Sequence, residues 1–204
     1  MQRRYLVCGL ALALGILPAG AVEGDAEAAR SKNSMCIGCH GIEGYRTAFP
    51  TVYPVPRLGG QHPEYIMAAL QVYKSGDRSH PTMQSIAGGL SEQDMADLAA
   101  YYGAQPAVPA AGSAPVQSAG NVMRGKEKSE VCAACHGPDG NSPLPTFPRI
   151  GGQHPEYLLQ ALLDYKAGRR KDPIMAVQVE ALSKQDMADL AAWFGAQQGL
   201  YTKH

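Results

Sequence analysis

Two short stretches of this chain carry residues whose type and spacing can do chemistry: Cys36-Ile37-Gly38-Cys39-His40 and Cys132-Ala133-Ala134-Cys135-His136. Each reads C-x-x-C-H. Three residues apart on a helix, two thiols share one face. Both can then form thioethers to the vinyl groups along one porphyrin edge, and the histidine that follows falls under the ring to ligate iron. The competing uses of a C-x-x-C pair are zinc binding and dithiol redox chemistry. Zinc needs four ligands at one point, and these pairs stand 96 residues apart, each within its own repeat. The pattern points to two c-type haems, covalently bound through Cys36, Cys39, Cys132 and Cys135 and ligated by His40 and His136.

The elements that must position these residues also occur twice. Gly59-Gly60-Gln61-His62-Pro63-Glu64-Tyr65 returns from Gly151 to Tyr157, and Leu90–Ala100 returns from Leu182 to Ala192 with Lys184 in place of Glu92, both at an offset of 92. The cysteines are offset by 96, so the first copy has four extra residues between its haem histidine and Pro56. This is a duplication of one module. Within each copy the apolar spacing predicts three helices. The first runs from about Ala26 into Cys36, or Val122 into Cys132. The second starts at Pro63 or Pro155, with Ile66, Ala69, Leu70 and Tyr73, or Leu158, Ala161, Leu162 and Tyr165, on one face, and stops at Gly76 or Gly168. The third is capped by Ser91 with Asp94, or Ser183 with Asp186, buries Met95 or Met187, and closes at Gly103 or Gly195. No alternating strand pattern is present, so the expected fold is all-α, with two tandem cytochrome c-like haem domains.

Iron held by His and Met is an electron carrier, because the thioether raises the potential. Two methionine pairs survive the repeat, Met83/Met175 and Met95/Met187. The second pair sits on the apolar face of a capped helix and reads as core. Met83 and Met175 lie in Pro-bearing segments expected to be loops, which can lay a sulfur over the open face of a haem. They are the expected sixth ligands. His62 and His154 read as capping or surface residues, and His80, matched by Asp172, as a loop residue.

Residues 1–21 read as a signal peptide: Arg3 and Arg4, an apolar run from Leu6 to Leu17, then Ala19-Gly20-Ala21. That run is shorter than the about 20 residues a bilayer span needs, and Cys8 is lost with it. Residues 22–105 and 121–204 read as the two domains. The Ala/Pro/Gly/Ser-rich stretch 106–120 reads as a semi-extended linker. The 18 Lys and Arg less Arg3 and Arg4, against 18 Asp and Glu, give the mature chain a charge near −2, which argues against nucleic acid or an anionic membrane surface as partner. Aromatic residues are only 7% of the chain, so each module has little core of its own. A buried haem, at about 500 Å² and ~25 cal/mol/Å², adds up to about 12 kcal/mol, and each module is expected to fold poorly without it.

The paired C-x-x-C-H, Pro-Arg-x-Gly-Gly-Gln followed by Glu-Tyr, the Met after the second helix and the final Leu-Ser-x-x-Asp-Met helix together resemble the dihaem cytochrome c4 family. The resemblance implies a periplasmic, non-enzymatic carrier of single electrons in a respiratory chain. Its implied partners are a quinol-oxidising complex and a terminal oxidase, with membrane association only peripheral and through those complexes. It also implies that the backbone carbonyls of Pro56 and Pro148 accept from the ring N–H of His40 and His136. Two other functions compete: a cytochrome subunit docked on a flavin or molybdenum dehydrogenase, and a dihaem peroxidase, which would need an exchangeable iron site that the matched methionines do not offer. The copies diverge most between haem histidine and proline, where the first has Tyr45, Arg46, Phe49 and Tyr53 and the second has Asp139 and Phe147. The two haems are therefore expected to differ in potential, the first being raised if the Arg46 charge lies near it.

Overall fold

The computed structural model describes residues 22–104 and 118–203. The expected signal segment and all but the last three residues of the expected linker lie outside the described residues. The first module contains a 3-10 turn, Ala28–Ser31, then α1 (Ser34–His40), a hairpin of β1 (Arg46–Thr47) and β2 (Tyr53–Pro54), α2 (Pro63–Ser75), α3 (Pro81–Gly88) and α4 (Glu92–Gly103). The second contains α5 (Val122–Lys128), α6 (Glu130–His136), α7 (Pro155–Lys166), α8 (Pro173–Glu180) and α9 (Lys184–Gly195). The architecture is all-α apart from the antiparallel pair β1–β2, which period-2 alternation could not reveal because each strand is two residues long.

The helices differ from the sequence reading in three ways. The first helix of each copy is broken: a turn precedes α1, and Ser129 ends α5 one residue before α6 begins. The segments carrying Met83 and Met175 are short helices, with Pro81 and Pro173 in the first turn. Gly103 and Gly195 do not cap. They end α4 and α9 where a Cβ would meet the Pro63 or Pro155 ring at about 2.4 or 2.5 Å, so their missing side chains let α4 cross the start of α2 and α9 the start of α7. Gly76 does cap α2, with φ 87°. Both Ser–Asp capping boxes form.

The first core gathers Ile66, Leu70, Ala87, Leu90, Met95, Leu98, Ala99 and Tyr102 around Ala29; the second gathers Leu158, Leu190, Ala191 and Phe194. Met95 and Met187 are buried, at 2% and 1% exposure. A buried carboxylate ties each N-terminal segment to its C-terminal helix. Asp97 accepts from the Asp25 amide at 2.9 Å and from Lys32 at 2.7 Å. Asp189 accepts from the Asn121 amide at 2.7 Å and from Arg124 at 2.8 Å.

The modules interlock about an approximate two-fold axis. The Gln61 amide pairs with the backbone of Arg149 (Nε2 to O 2.8 Å, N to Oε1 2.9 Å), and the Gln153 amide pairs likewise with Arg57 (3.0 and 2.9 Å). Each glutamine side chain thus replaces one rung of a strand pairing. Arg78 and Arg170 meet in an antiparallel bridge at the centre. The chain end returns to the first module, where Gly59 and Tyr201 exchange both backbone bonds.

Candidate haem sites and family

Each C-x-x-C-H forms the last five residues of α1 or α6, a little over one helical turn. All four thiols are half-buried and unpaired. Burial pushes the Cys36 and Cys132 thiols above the usual range, so they rest as thiols rather than thiolates. Among the described residues no three His, Cys, Asp or Glu side chains converge on one point. Cys36 and Met83 pack against the same core cluster, and Cys132 packs against the second. Met175 is half-buried but is not among the residues packed on that cluster.

The two motif histidines are oriented alike. His40 Nδ1 lies 2.8 Å from Pro56 O, and His136 Nδ1 lies 2.9 Å from Pro148 O. A carbonyl only accepts, so Nδ1 carries the proton and the Nε2 lone pair is left for iron. Burial lowers the pKa of both imidazoles, and the carbonyls oppose this only in part. Each ring is therefore neutral. The four extra residues of the first copy do not shift this contact, because they are taken up in the β1–β2 hairpin. Phe147 stands edge-on to His136, ring centroids 6.5 Å apart; Val55 is at the matching position of the first copy.

Met83 and Met175 sit in the first turn of α3 and α8. His80 Nδ1 accepts from the Met83 amide at 3.3 Å, and Asp172 Oδ1 accepts from the Ile174 and Met175 amides at 3.0 and 2.9 Å. His80 is thus a helix cap with the same job as Asp172, not a loop residue. His62 is neither capping nor exposed. It is buried, at 7% exposure, with Nε2 on the Ser142 carbonyl of the other module at 2.8 Å.

The side chains fit a haem in each module. Arg57 Nε and Arg149 Nε are buried donors without a partner, one residue after the carbonyls that orient the histidines. Arg78 and Arg170 face each other with tyrosines as their side-chain partners: Arg78 bonds Tyr157 and stacks on Tyr73, and Arg170 bonds Tyr65 and stacks on Tyr165. Buried cations and orphaned donors of this kind call for anions, and a porphyrin with two propionates brings them. Paired thiols and a neutral imidazole supply the remaining attachment points.

Arg46 does not supply free charge to the first site. Both its terminal nitrogens lie 3.0 Å from the two carboxylate oxygens of Glu156, which neutralises the charge expected to raise that haem's potential.

The cytochrome c family model matches residues 26–102 and 122–196. Cytochrome c4 of Thiocapsa roseopersicina is 36% identical over 181 residues, covering 83% of this chain and 91% of that one. The crystal structure of reduced cytochrome c4 from Pseudomonas stutzeri superposes with a TM-score of 0.67 at 30% identity, covering 87% of this chain and all of that one. A thiosulfate dehydrogenase from Marichromatium purpuratum superposes with a TM-score of 0.68 at 30% identity over 79% of this chain and 36% of that chain. With two cytochrome c domains, two covalent haem motifs and these relatives, the chain belongs to the dihaem cytochrome c4 family and is an electron carrier, not an enzyme.

Proposed function

We propose that this chain is exported to the periplasm, that its first 21 residues are removed, and that it shuttles single electrons between a quinol-oxidising complex and a terminal oxidase. In this reading Cys36, Cys39, Cys132 and Cys135 would hold the two haems, His40 and His136 would each give a nitrogen to iron, and Met83 and Met175 would each give a sulfur. Each haem, when bound, supplies a one-electron couple. The protein's part is positional. The Pro56 and Pro148 carbonyls fix the imidazoles, helix caps fix the methionine backbones, and full coordination leaves no site for substrate. The observation that carries the reading is the reciprocal Gln61–Arg149 and Gln153–Arg57 pairing, which holds the two modules in one geometry suited to electron transfer within the chain.

A second reading, an acceptor docked on a dehydrogenase, is favoured by the likeness to about a third of the Marichromatium thiosulfate dehydrogenase. Periplasmic fractionation together with reoxidation of the reduced protein by membranes tests both. The shuttle reading expects a free protein rapidly oxidised by membranes bearing a terminal oxidase. Stoichiometric co-elution with a large dehydrogenase, without membrane turnover, would favour the second.

A further inference from the structure

The hairpin β1–β2 is the element that breaks the two-fold relation between the modules. It lies between His40 and Pro56, a span of 16 residues against 12 from His136 to Pro148. It reaches across to the other module. Arg46 forks onto Glu156 in the first turn of α7, and Tyr53 packs on Tyr157 of the same helix with ring centroids 6.2 Å apart. On its other side Tyr53 stands edge to the His80 ring, at 6.5 Å and 76°. His80 in turn holds the Met83 amide. A continuous line of contacts therefore runs from α7 of the second module through Tyr53 and His80 to Met83.

The second module holds its methionine differently. One oxygen of Asp172 takes both the Ile174 and Met175 amides, at 3.0 and 2.9 Å. A carboxylate at a helix N-terminus is a charge-assisted cap favoured by the helix dipole. A neutral imidazole making one 3.3 Å bond is a weaker cap. It also works in only one ring orientation, with Nδ1 toward the amide, so something must hold the ring. Tyr53 is placed to do so.

We propose that Tyr53 is a positioning residue for the first module's sulfur ligand: it fixes the His80 cap of α3 against α7, so that ligation by Met83 depends on the second module being in place, whereas Met175 depends on Asp172 alone. This rests on the reading of Met83 and Met175 as sixth ligands. It gives the pair of haems an asymmetry that does not need the Arg46 charge.

The test uses the full-length oxidised holoprotein and imidazole as an entering ligand, which binds only after the sulfur leaves. Sites are assigned with Met83→Ala and Met175→Ala. Tyr53→Ala should speed imidazole entry at the first haem on the order of fivefold, the scale of losing a helix cap, and leave the second unchanged. Hydrogen exchange at the Met83 amide should quicken with it. Tyr53→Phe, which keeps the ring, should behave as wild type. His80→Asp, which copies the cap of the second module, should make Tyr53→Ala silent. Unchanged entry in Tyr53→Ala, equal acceleration at both haems, or acceleration that persists beside His80→Asp would overturn the proposal. The ligand reading fails separately, if Met83→Ala leaves the red sulfur–iron absorption band undiminished.

Discussion

His40 and His136 each reach the haem site as a neutral imidazole with one nitrogen already committed to a proline carbonyl. On the proposed ligand set, the character of each site is then set by the sulfur of Met83 or Met175. Met83→Ala should remove about half of the weak red band of the oxidised protein and lower the potential of one haem, because a sulfur ligand raises it. Met95→Ala should leave the band intact and cost about 2–5 kcal/mol of stability, since Met95 is a core side chain at 2% exposure. Loss of the band in Met95→Ala instead would assign the wrong pair. Optical spectra and thermal melts of the two variants decide it. The haem motifs and the core placement of Met95 and Met187 were legible because both obey local spacing rules. The role of His62 was not, because its partner, the Ser142 carbonyl, is 80 residues away. One signal did exist: a polar Gly-Gly-Gln-His kept in both copies of a duplication has a shared task, and capping did not exhaust it.

At the scale of elements, the amphipathic helices α2, α4, α7 and α9 were legible from their period and caps. The short α3 and α8 were hidden behind their opening prolines, and the hairpin behind its two-residue strands. The clamps that join N-terminal and C-terminal segments make a pH prediction. Asp97 and Asp189 are held below the usual carboxylate range, Asp97 chiefly by the Asp25 amide and Lys32, and Asp189 chiefly by Arg124. Their folded pKa lies below the unfolded value near ~3.9, so the stabilisation is fully present above that value and is lost as pH falls through the folded pKa. Below pH ~4 the melting temperature should drop more steeply in the wild type than in Asp97→Asn/Asp189→Asn. Parallel slopes would show that these carboxylates do not carry the acid response. Each element also leans on its cofactor. Changing Cys36 and Cys39 to Ala should leave one haem per chain and loosen mainly the first module. Mass spectrometry and hydrogen exchange would show both.

At the scale of the molecule, the interface was the least legible feature, since nothing in a repeat says that its copies face each other. Here they do, through side chains that pair with main chain. Gln61→Ala should strand the Arg149 amide and carbonyl and weaken docking by about 1–3 kcal/mol, with Gln153→Ala a near equivalent by symmetry. The interface should also respond to mild acid. Burial lowers the His154 pKa to about 4, with Arg57 and Arg46 adding to the effect and Glu43 and Glu156 opposing it. The folded state keeps this ring neutral while the unfolded chain protonates near pH ~6.5. Stability from this group is therefore lost as pH falls from about 6.5 toward 4, above the window of the aspartate clamps. His154→Gln should flatten that part of the profile, and an unchanged profile would show that His154 does not carry this response.

Two covalently held haems sit in one interlocked chain that carries electrons, and on the proposed ligand set both irons are fully ligated. A potentiometric titration of the intact protein, followed by absorption spectra, tests it most directly. Full ligation of both irons predicts two one-electron waves per chain at distinct potentials, a red sulfur–iron band that disappears in step with both reductions, and no carbon monoxide adduct of the reduced form. A single electron per chain, two coincident midpoints at low salt, or an iron that takes up carbon monoxide would contradict it.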